Sequence, residues 1–276
     1  MINLSKEQIQ SLIPLFQCHI AQELEYAYRG EAPFGHVDIK VYADNATKPE
    51  TMLFINGFAG TGLYGDASNY ERNQEIKRLI IDCFDEEEKE VWLSLYSPEW
   101  EPVVDNLFDG YSSWKAHRLI HRLNGESFQQ RSSWRDKIPG GYAMVKVDVS
   151  SYEFVNCRYP SFYWKPEGNK FGWFLLKDGE VVSECISVWV EKFGVEKNCV
   201  EIGIETKEEY RRKGYAALTA TAFVEDCLSQ KLTPVWCCWS FREGSKELAK
   251  MLGFEIIEER RAIFLKKNIE RKTRND

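Results

Sequence analysis

A chain of 276 residues, 43% of them hydrophobic and 14% aromatic, has enough apolar mass for one large core or two ordinary ones. The 29% charged fraction matches soluble globular proteins, and no apolar run approaches the roughly 18 residues of a membrane span, so no membrane partner is expected. Residues 1–135 hold 13 Lys+Arg against 21 Asp+Glu, and residues 136–276 hold 23 against 22; the acidic first half argues against nucleic-acid binding, whose phosphates need Lys and Arg, and suits a cationic partner.

The amino terminus lacks the layout of a secretory signal, so the expected location is cytoplasmic. Ser5-Lys6-Glu7-Gln8 fits a capping box, and Ile9, Leu12, Ile13, Phe16 and Ile20 follow at helical spacing. Pro14 lies inside that pattern, which predicts a kink or two short helices. Alternation predicts a strand over 37–42, Asp44-Asn45 a turn, and 52–55 a second strand. Gly57, Gly60, Gly62 and Gly65 read as a loop. They lack the Lys-Ser/Thr ending of a P-loop and the Gly-x-Gly-x-x-Gly order of a dinucleotide site. A helix is predicted over 71–84, then an acidic run at 85–90 and a strand over 91–96.

Residues 110–136 cluster Trp114, His117, Arg118, His121, Arg122, Phe128, Arg131, Trp134 and Arg135. Three explanations stay open: a helix with Arg118, His121 and Arg122 on its polar face, a linker, or part of a ligand cleft. His117 and His121 stand four apart, a metal-binding spacing, but no Glu or third ligand is near, and no metal is expected. The eight cysteines contain no pair with the two-residue gap of a zinc or redox motif and read as small buried hydrophobes.

The second half is more regular. Residues 171–176 read as a strand, Asp178-Gly179 as a hairpin turn, 181–190 as the returning strand and 199–206 as a third. A helix is predicted over 215–229, with Ala216, Ala220, Phe223, Cys227 and Leu228 inward. A strand follows at 235–239, then a helix at 245–252 capped by Gly253, then strand from Phe254 to about Leu265.

The chemistry is concentrated between the third strand and the long helix, at Arg211-Arg212-Lys213-Gly214-Tyr215-Ala216. A helix start leaves backbone amides without internal partners, and its dipole adds positive charge, which together make a site for a diphosphate. Gly214 permits close backbone approach, Ala216 is small where the loop enters the helix, and Arg211, Arg212 and Lys213 supply attraction. Strand alternation puts Glu201, Gly203 and Glu205 on one face, with Gly203 leaving space between the two carboxylates.

The segments Cys199-Val200-Glu201-Ile202-Gly203-Ile204-Glu205-Thr206, Tyr210-Arg211-Arg212-Lys213-Gly214-Tyr215-Ala216 and Ser245-Lys246-Glu247-Leu248-Ala249-Lys250-Met251-Leu252-Gly253-Phe254 resemble the central and later motifs of the GNAT superfamily of N-acetyltransferases. More narrowly, Gly179-Glu180-Val181-Val182-Ser183-Glu184-Cys185 and Pro234-Val235-Trp236 resemble the group of the zwittermicin A resistance protein. The resemblance implies an α/β fold with a mixed sheet in residues 136–276, splayed between its fourth and fifth strands. A smaller α/β domain over 1–135, on the substrate side, precedes it; a degenerate copy of the same fold is one option there. It further implies acetyl-CoA as co-substrate, with pantetheine along the backbone of Ile204 and Thr206 and diphosphate on residues 212–216.

The same resemblance implies direct attack of an amine on the thioester, with Glu201, and after it Glu205, as the base. Many relatives carry a Tyr acid where this chain has Ala249, and an Asn where it has Arg242; Arg242, Ser245 or solvent then receives the leaving thiolate. The leading expectation is acetylation of a primary amine of a small molecule, with an antibiotic-like amine as one option. A protein or peptide N-acetyltransferase and an acyl-CoA sensor without turnover are the alternatives. The sequence leaves the oligomeric state open.

Overall fold

The computed structural model describes residues 1–16, 18–32, 35–36, 39–56, 60–82, 90–129, 134–156, 166, 168–191 and 198–267. Gly57, Arg131, positions 85–89 of the acidic run and positions 37–38 of the first expected strand lie outside that set.

After β1 (Ile2–Asn3), Ser5 caps α1 (Lys6–Leu12): its hydroxyl accepts from the Gln8 amide at 3.3 Å, and the Gln8 side chain accepts from the Ser5 amide at 2.8 Å. Pro14 ends that helix in a 3-10 turn, Ile13–Leu15, and the chain restarts as α2 (Cys18–Arg29). A two-stranded ribbon, β2 (Glu31–Ala32) and β3 (Gly35–His36), leads to β4 (Lys40–Ala43), β5 (Thr51–Ile55), β6 (Gly60–Gly65), α3 (Tyr70–Ile81), β7 (Glu90–Leu95), α4 (Trp100–Leu107) and β8 (Tyr111–Leu123). Then come α5 (Gly125–Gln129), β9 (Tyr142–Asp148), α6 (Tyr152–Asn156), β10 (Phe171–Lys177), β11 (Glu180–Glu191) and β12 (Cys199–Thr206). The chain continues through α7 (Tyr215–Ser229), β13 (Thr233–Trp239), α8 (Glu243–Met251) and β14 (Phe254–Lys267).

Contacts divide the chain into two units, Met1–Arg118 with Glu259–Asp276, and Leu119–Glu258. The first is discontinuous because residues 261–266 of β14 pair with β7. Its strands run in the order β1–β4–β5–β6–β7–β14, over a core that includes Leu63, Ile76, Leu93, Trp100 and Ile263. The second unit has the order β8–β13–β12–β11–β10–β9 and packs α7 against it, with the Phe223 ring stacked on Phe171 at 4.9 Å. The strand pairing in each unit is mixed, since β6–β7 and β12–β13 are parallel pairs among antiparallel ones. The first unit repeats the element order of the second: antiparallel strands, a helix, a parallel strand, a helix, a strand.

Two expectations are corrected. The glycine-rich stretch is not a loop from Gly60 onward but strand β6. Glycine serves close packing there: a Cβ on Gly60 would lie 2.8 Å from Trp92 Cζ2, and one on Gly62 would lie 2.5 Å from Tyr96 Cε2. The polar cluster after Gly110 is neither helix nor linker; residues 111–123 are strand β8, with Leu119, Ile120 and His121 buried. Tertiary pairing overrides the helical spacing of its charges. On a strand, residues four apart are separated by about 13 Å, so His117 and His121 cannot share a metal ion. Among the described residues no group of three His, Cys, Asp or Glu is placed to hold one.

His121 is instead a core residue, 3% exposed, with Nδ1 2.9 Å from the Trp236 carbonyl, which makes Nδ1 the protonated nitrogen. Burial pushes its pKa below the ordinary value, and the carbonyls of Trp236 and Leu119 only partly offset this. The fold therefore favours neutral imidazole. Its contribution to stability is complete above the unfolded value of about 6.5 and is lost progressively as pH falls from there toward the lower folded value. Urea midpoints are expected to fall between pH 7.5 and 5.5 by more in the native protein than in His121→Gln.

Candidate functional site

In the second unit, β12 and β13 pair in parallel from Cys199–Thr233 to Glu201–Val235, and among the described residues the register stops there. Both strands continue, β12 to Thr206 and β13 to Trp239, so they part at their carboxyl ends. Which backbone groups face the opening follows from alternation. Lys207 N–H donates to Val182 at 3.0 Å, and the Glu205 carbonyl accepts from Ser183 Oγ at 3.2 Å, both toward β11. The amides and carbonyls of Ile204 and Thr206 therefore face the gap.

The side chains sort by the same parity. Val200 and Ile202 join the core under α7, with Ile204 packed against it, while Cys199 packs with Ile120 and Val235 on the other face. Glu201, Gly203 and Glu205 belong to that second face. Gly203 does not hold open space between the carboxylates, as the sequence suggested. A Cβ there would lie 2.8 Å from Val188 Cγ2 and 3.0 Å from Ile186 Cγ1, so the neighbouring strand fills it. Glu201 is half-buried. Glu205 is tied to Arg211, whose Nη2 lies 2.9 Å from Oε1 and whose Nε donates to the Thr206 carbonyl at 3.0 Å.

Beyond Thr206 the chain makes a 3-10 turn, Glu208–Tyr210, and enters α7 at Gly214, whose φ of +82° is left-handed. Arg212 also has positive φ, +62°, an uncommon state for a residue with a side chain. Among the described residues no side chain caps α7, and a Cβ on Gly214 would meet nothing within 4 Å. Open space thus lies directly over the helix start. Beside it is a cavity of about 540 Å³ lined by Lys213, Gly214, Tyr215, Trp134, Lys137 and Leu252, among others.

Other residues singled out from sequence lie as follows. Lys213 Nζ donates to the Glu209 carbonyl at 2.9 Å, and Tyr215 OH to Tyr142 OH at 3.0 Å. Arg212 is exposed and Ala216 half-buried at the helix start. Arg242 is exposed, its guanidinium 5.5 Å from the Phe241 ring centre. Ser245 accepts from Trp236 Nε1 at 3.0 Å, so its hydroxyl also anchors the core indole. Ala249 is fully buried, and no hydroxyl stands at that position. Lys137 and Tyr142 were not among the candidates. Trp134 entered only through the 110–136 cluster, one reading of which was part of a ligand cleft, and Glu180 only through the hairpin turn and the likeness of residues 179–185.

The first unit offers a direct contrast. There β6 and β7 pair from Gly60–Trp92 to Leu63–Leu95, and Tyr96 N–H continues the contact to the Leu63 carbonyl at 2.8 Å. Its helix α3 is capped by Asn69, which accepts from Arg72 N–H at 3.0 Å, and the Arg72 guanidinium pairs with Asp44 and Asp66. That strand pair is closed and that helix start is filled by the chain itself.

A parted parallel strand pair beside a basic helix start leaves room for an extended chain and for an anionic group at the helix amides. The family model described as GNAT acetyltransferase matches residues 34–263. The chain belongs to the GNAT acetyltransferase family. This acetyltransferase is 26% identical over 268 residues to the uncharacterized N-acetyltransferase YdfB of Bacillus subtilis (strain 168), covering 93% of this chain and 95% of the relative. It resembles in fold the GCN5-related N-acetyltransferase-like protein from Streptococcus suis 89/1591, with a TM-score of 0.62 at 20% identity over 94% of this chain and 99% of that one. It also resembles a tandem GNAT protein from the clavulanic acid biosynthesis pathway, with a TM-score of 0.58 at 10% identity over 98% of each chain. The chain is an acyltransferase of mixed α/β fold, and the tandem relative matches its two-unit organisation.

Proposed function

We propose that this acetyltransferase moves an acetyl group from acetyl-CoA to the primary amine of a small molecule by direct attack. The observation that carries the donor assignment is the contrast between the units: an open strand pair and uncapped helix start in one, a closed pair and self-capped helix in the other. In this reading pantetheine runs along the backbone edge of Ile204 and Thr206, displacing the side chains of Arg211 and Glu205 that now bond to the Thr206 carbonyl and amide. The diphosphate takes the amides of residues 212–216, and Arg211, Arg212 and Lys213 attract it. Arg242 and Ser245 stand at the start of α8, on the donor side.

The acceptor arrives as an ammonium and must lose a proton before its lone pair can attack. We assign that proton to Glu201, directly or through water, with Glu205 as the second choice; both lie on the face of β12 away from the α7 core. The C–N bond then forms at the thioester carbonyl and the C–S bond breaks. The thiolate leaves toward solvent, Arg242 or Ser245, since Ala249 has no proton to give, and is protonated through solvent as the amide nitrogen sheds its second proton. The acidic balance of residues 1–135 is proposed to attract a cationic acceptor. The narrower likeness of residues 179–185 and 234–236 to a resistance group favours an antibiotic-like amine.

A second reading, an acyl-CoA sensor without turnover, draws on the buried Ala249. Mixing the protein with acetyl-CoA and a panel of amines while following free thiol separates the two. Amine-dependent thiol release is the expected result. Binding of acetyl-CoA with no thiol released by any amine would favour the sensor.

A further inference from the structure

The loop that starts α7 holds two left-handed residues, Arg212 at φ +62° and Gly214 at φ +82°, within three positions. Such a shape persists only if its flanks are fixed. On one flank stands the 3-10 turn Glu208–Tyr210, and both ends of that turn land on the same carboxylate. Lys207 Nζ, at its entrance, pairs with Glu180 Oε2, and Tyr210 OH, its last residue, donates to Glu180 Oε1 at 2.9 Å. Hydrogen bonds from Lys207 and then Tyr210 hold the Glu180 carboxyl below the ordinary carboxylate range. On the other flank, Tyr215 OH donates to Tyr142 OH at 3.0 Å, with the ring centres 5.1 Å apart. Lys177 Nζ lies between the two tethers, 5.3 Å from the Tyr142 ring centre and 5.8 Å from that of Tyr210.

Glu180 opens β11 and follows the Asp178-Gly179 turn, 27 residues before Lys207. Its carboxylate meets the chain at Lys207 and Tyr210, on the flank of the loop. We infer that Glu180 is a positioning residue for the donor: by gripping Lys207 and Tyr210 it presets the amides of residues 212–216 for a diphosphate. The inference rests on the proposed acetyl-CoA reading of that loop. It adds a residue outside the motif, on a different hairpin, whose loss acts on the nucleotide end of the donor and not on the thioester end.

The test compares two probes on the full chain by calorimetry or NMR titration: acetyl-CoA, and S-acetylpantetheine, which lacks the diphosphate. For Glu180→Ala the expected result is a Kd for acetyl-CoA raised about tenfold or more, with the weak, millimolar response to S-acetylpantetheine unchanged. Glu180→Gln, which still accepts from Tyr210, is expected to fall between native and Glu180→Ala. Tyr210→Phe added to Glu180→Ala is expected to cost nothing further, because Glu180→Ala already removes the contact that Tyr210→Phe deletes. Equal acetyl-CoA affinity in Glu180→Ala and native protein would overturn the inference, and so would an equal loss for both probes, which marks general destabilisation. If the native protein itself bound no acetyl-CoA, the donor reading would fall and this inference with it.

Discussion

Replacing Gly214 with Asp is expected to weaken acetyl-CoA binding by about 100-fold or more while leaving the protein folded. The fold tolerates the change for two reasons. A Cβ at this position meets no atom within 4 Å, and Asp is among the side-chain-bearing residues that visit positive φ most readily. Strain of about 1–2 kcal/mol is the expected cost to stability. The ligand does not tolerate it. The carboxylate would stand in the space over the helix start, where two like charges 4 Å apart repel by about 4 kcal/mol at an effective dielectric near 20. Calorimetric titration together with a melting curve checks both halves. A folded Gly214→Asp protein that binds acetyl-CoA like the native one would remove the diphosphate from this loop.

The second large effect is expected at Glu201. Glu201→Gln keeps size and hydrogen bonding but cannot take a proton, and kcat is expected to fall by about 100-fold or more at neutral pH. The Kd for acetyl-CoA is expected to stay within about twofold, since the side chain lies on the face of β12 away from the α7 core. Glu205→Gln provides the counterpart. Its carboxylate is held at 2.9 Å by Arg211, which also supports the Thr206 carbonyl, so its loss is expected in donor affinity before kcat. Stopped-flow thiol release and binding titrations on the two variants separate these roles. Equal kcat in Glu201→Gln and native protein across pH would remove Glu201 as the base.

The second unit was legible because local and tertiary preferences coincide there. The Asp178-Gly179 turn takes the positive φ angles its sequence favours, +47° and +84°. Strand Cys199–Thr206 and helix Tyr215–Ser229 end where their patterns end, and Gly253 caps α8 at φ +87°. Helix α8 begins two residues before its expected start, at Glu243, because it has no capping side chain to announce it. The first unit was harder to read. Gly60 and Gly62 look like loop residues until Trp92 and Tyr96 press on them, and that contact is invisible in sequence. Strand β8 carries charges at helical spacing, yet Trp114 stacks on Phe264 at 4.0 Å, far along the chain. The candidate site divides in the same way. Its loop and carboxylates are contiguous motifs, whereas Glu180, Tyr142, Trp134 and Lys137 reach it only through pairing of distant strands and helices.

The contrast between the two units yields a number that can be measured directly. If the open strand pair and uncapped helix of residues 119–258 form the donor site, and the closed pair and self-capped helix of the first unit do not, one chain binds one acetyl-CoA. Isothermal titration of the native protein, with concentration fixed by amino-acid analysis, is predicted to give one molecule per chain, and Gly214→Asp to abolish that single event. Two molecules per chain, or one that survives in Gly214→Asp, would contradict the account.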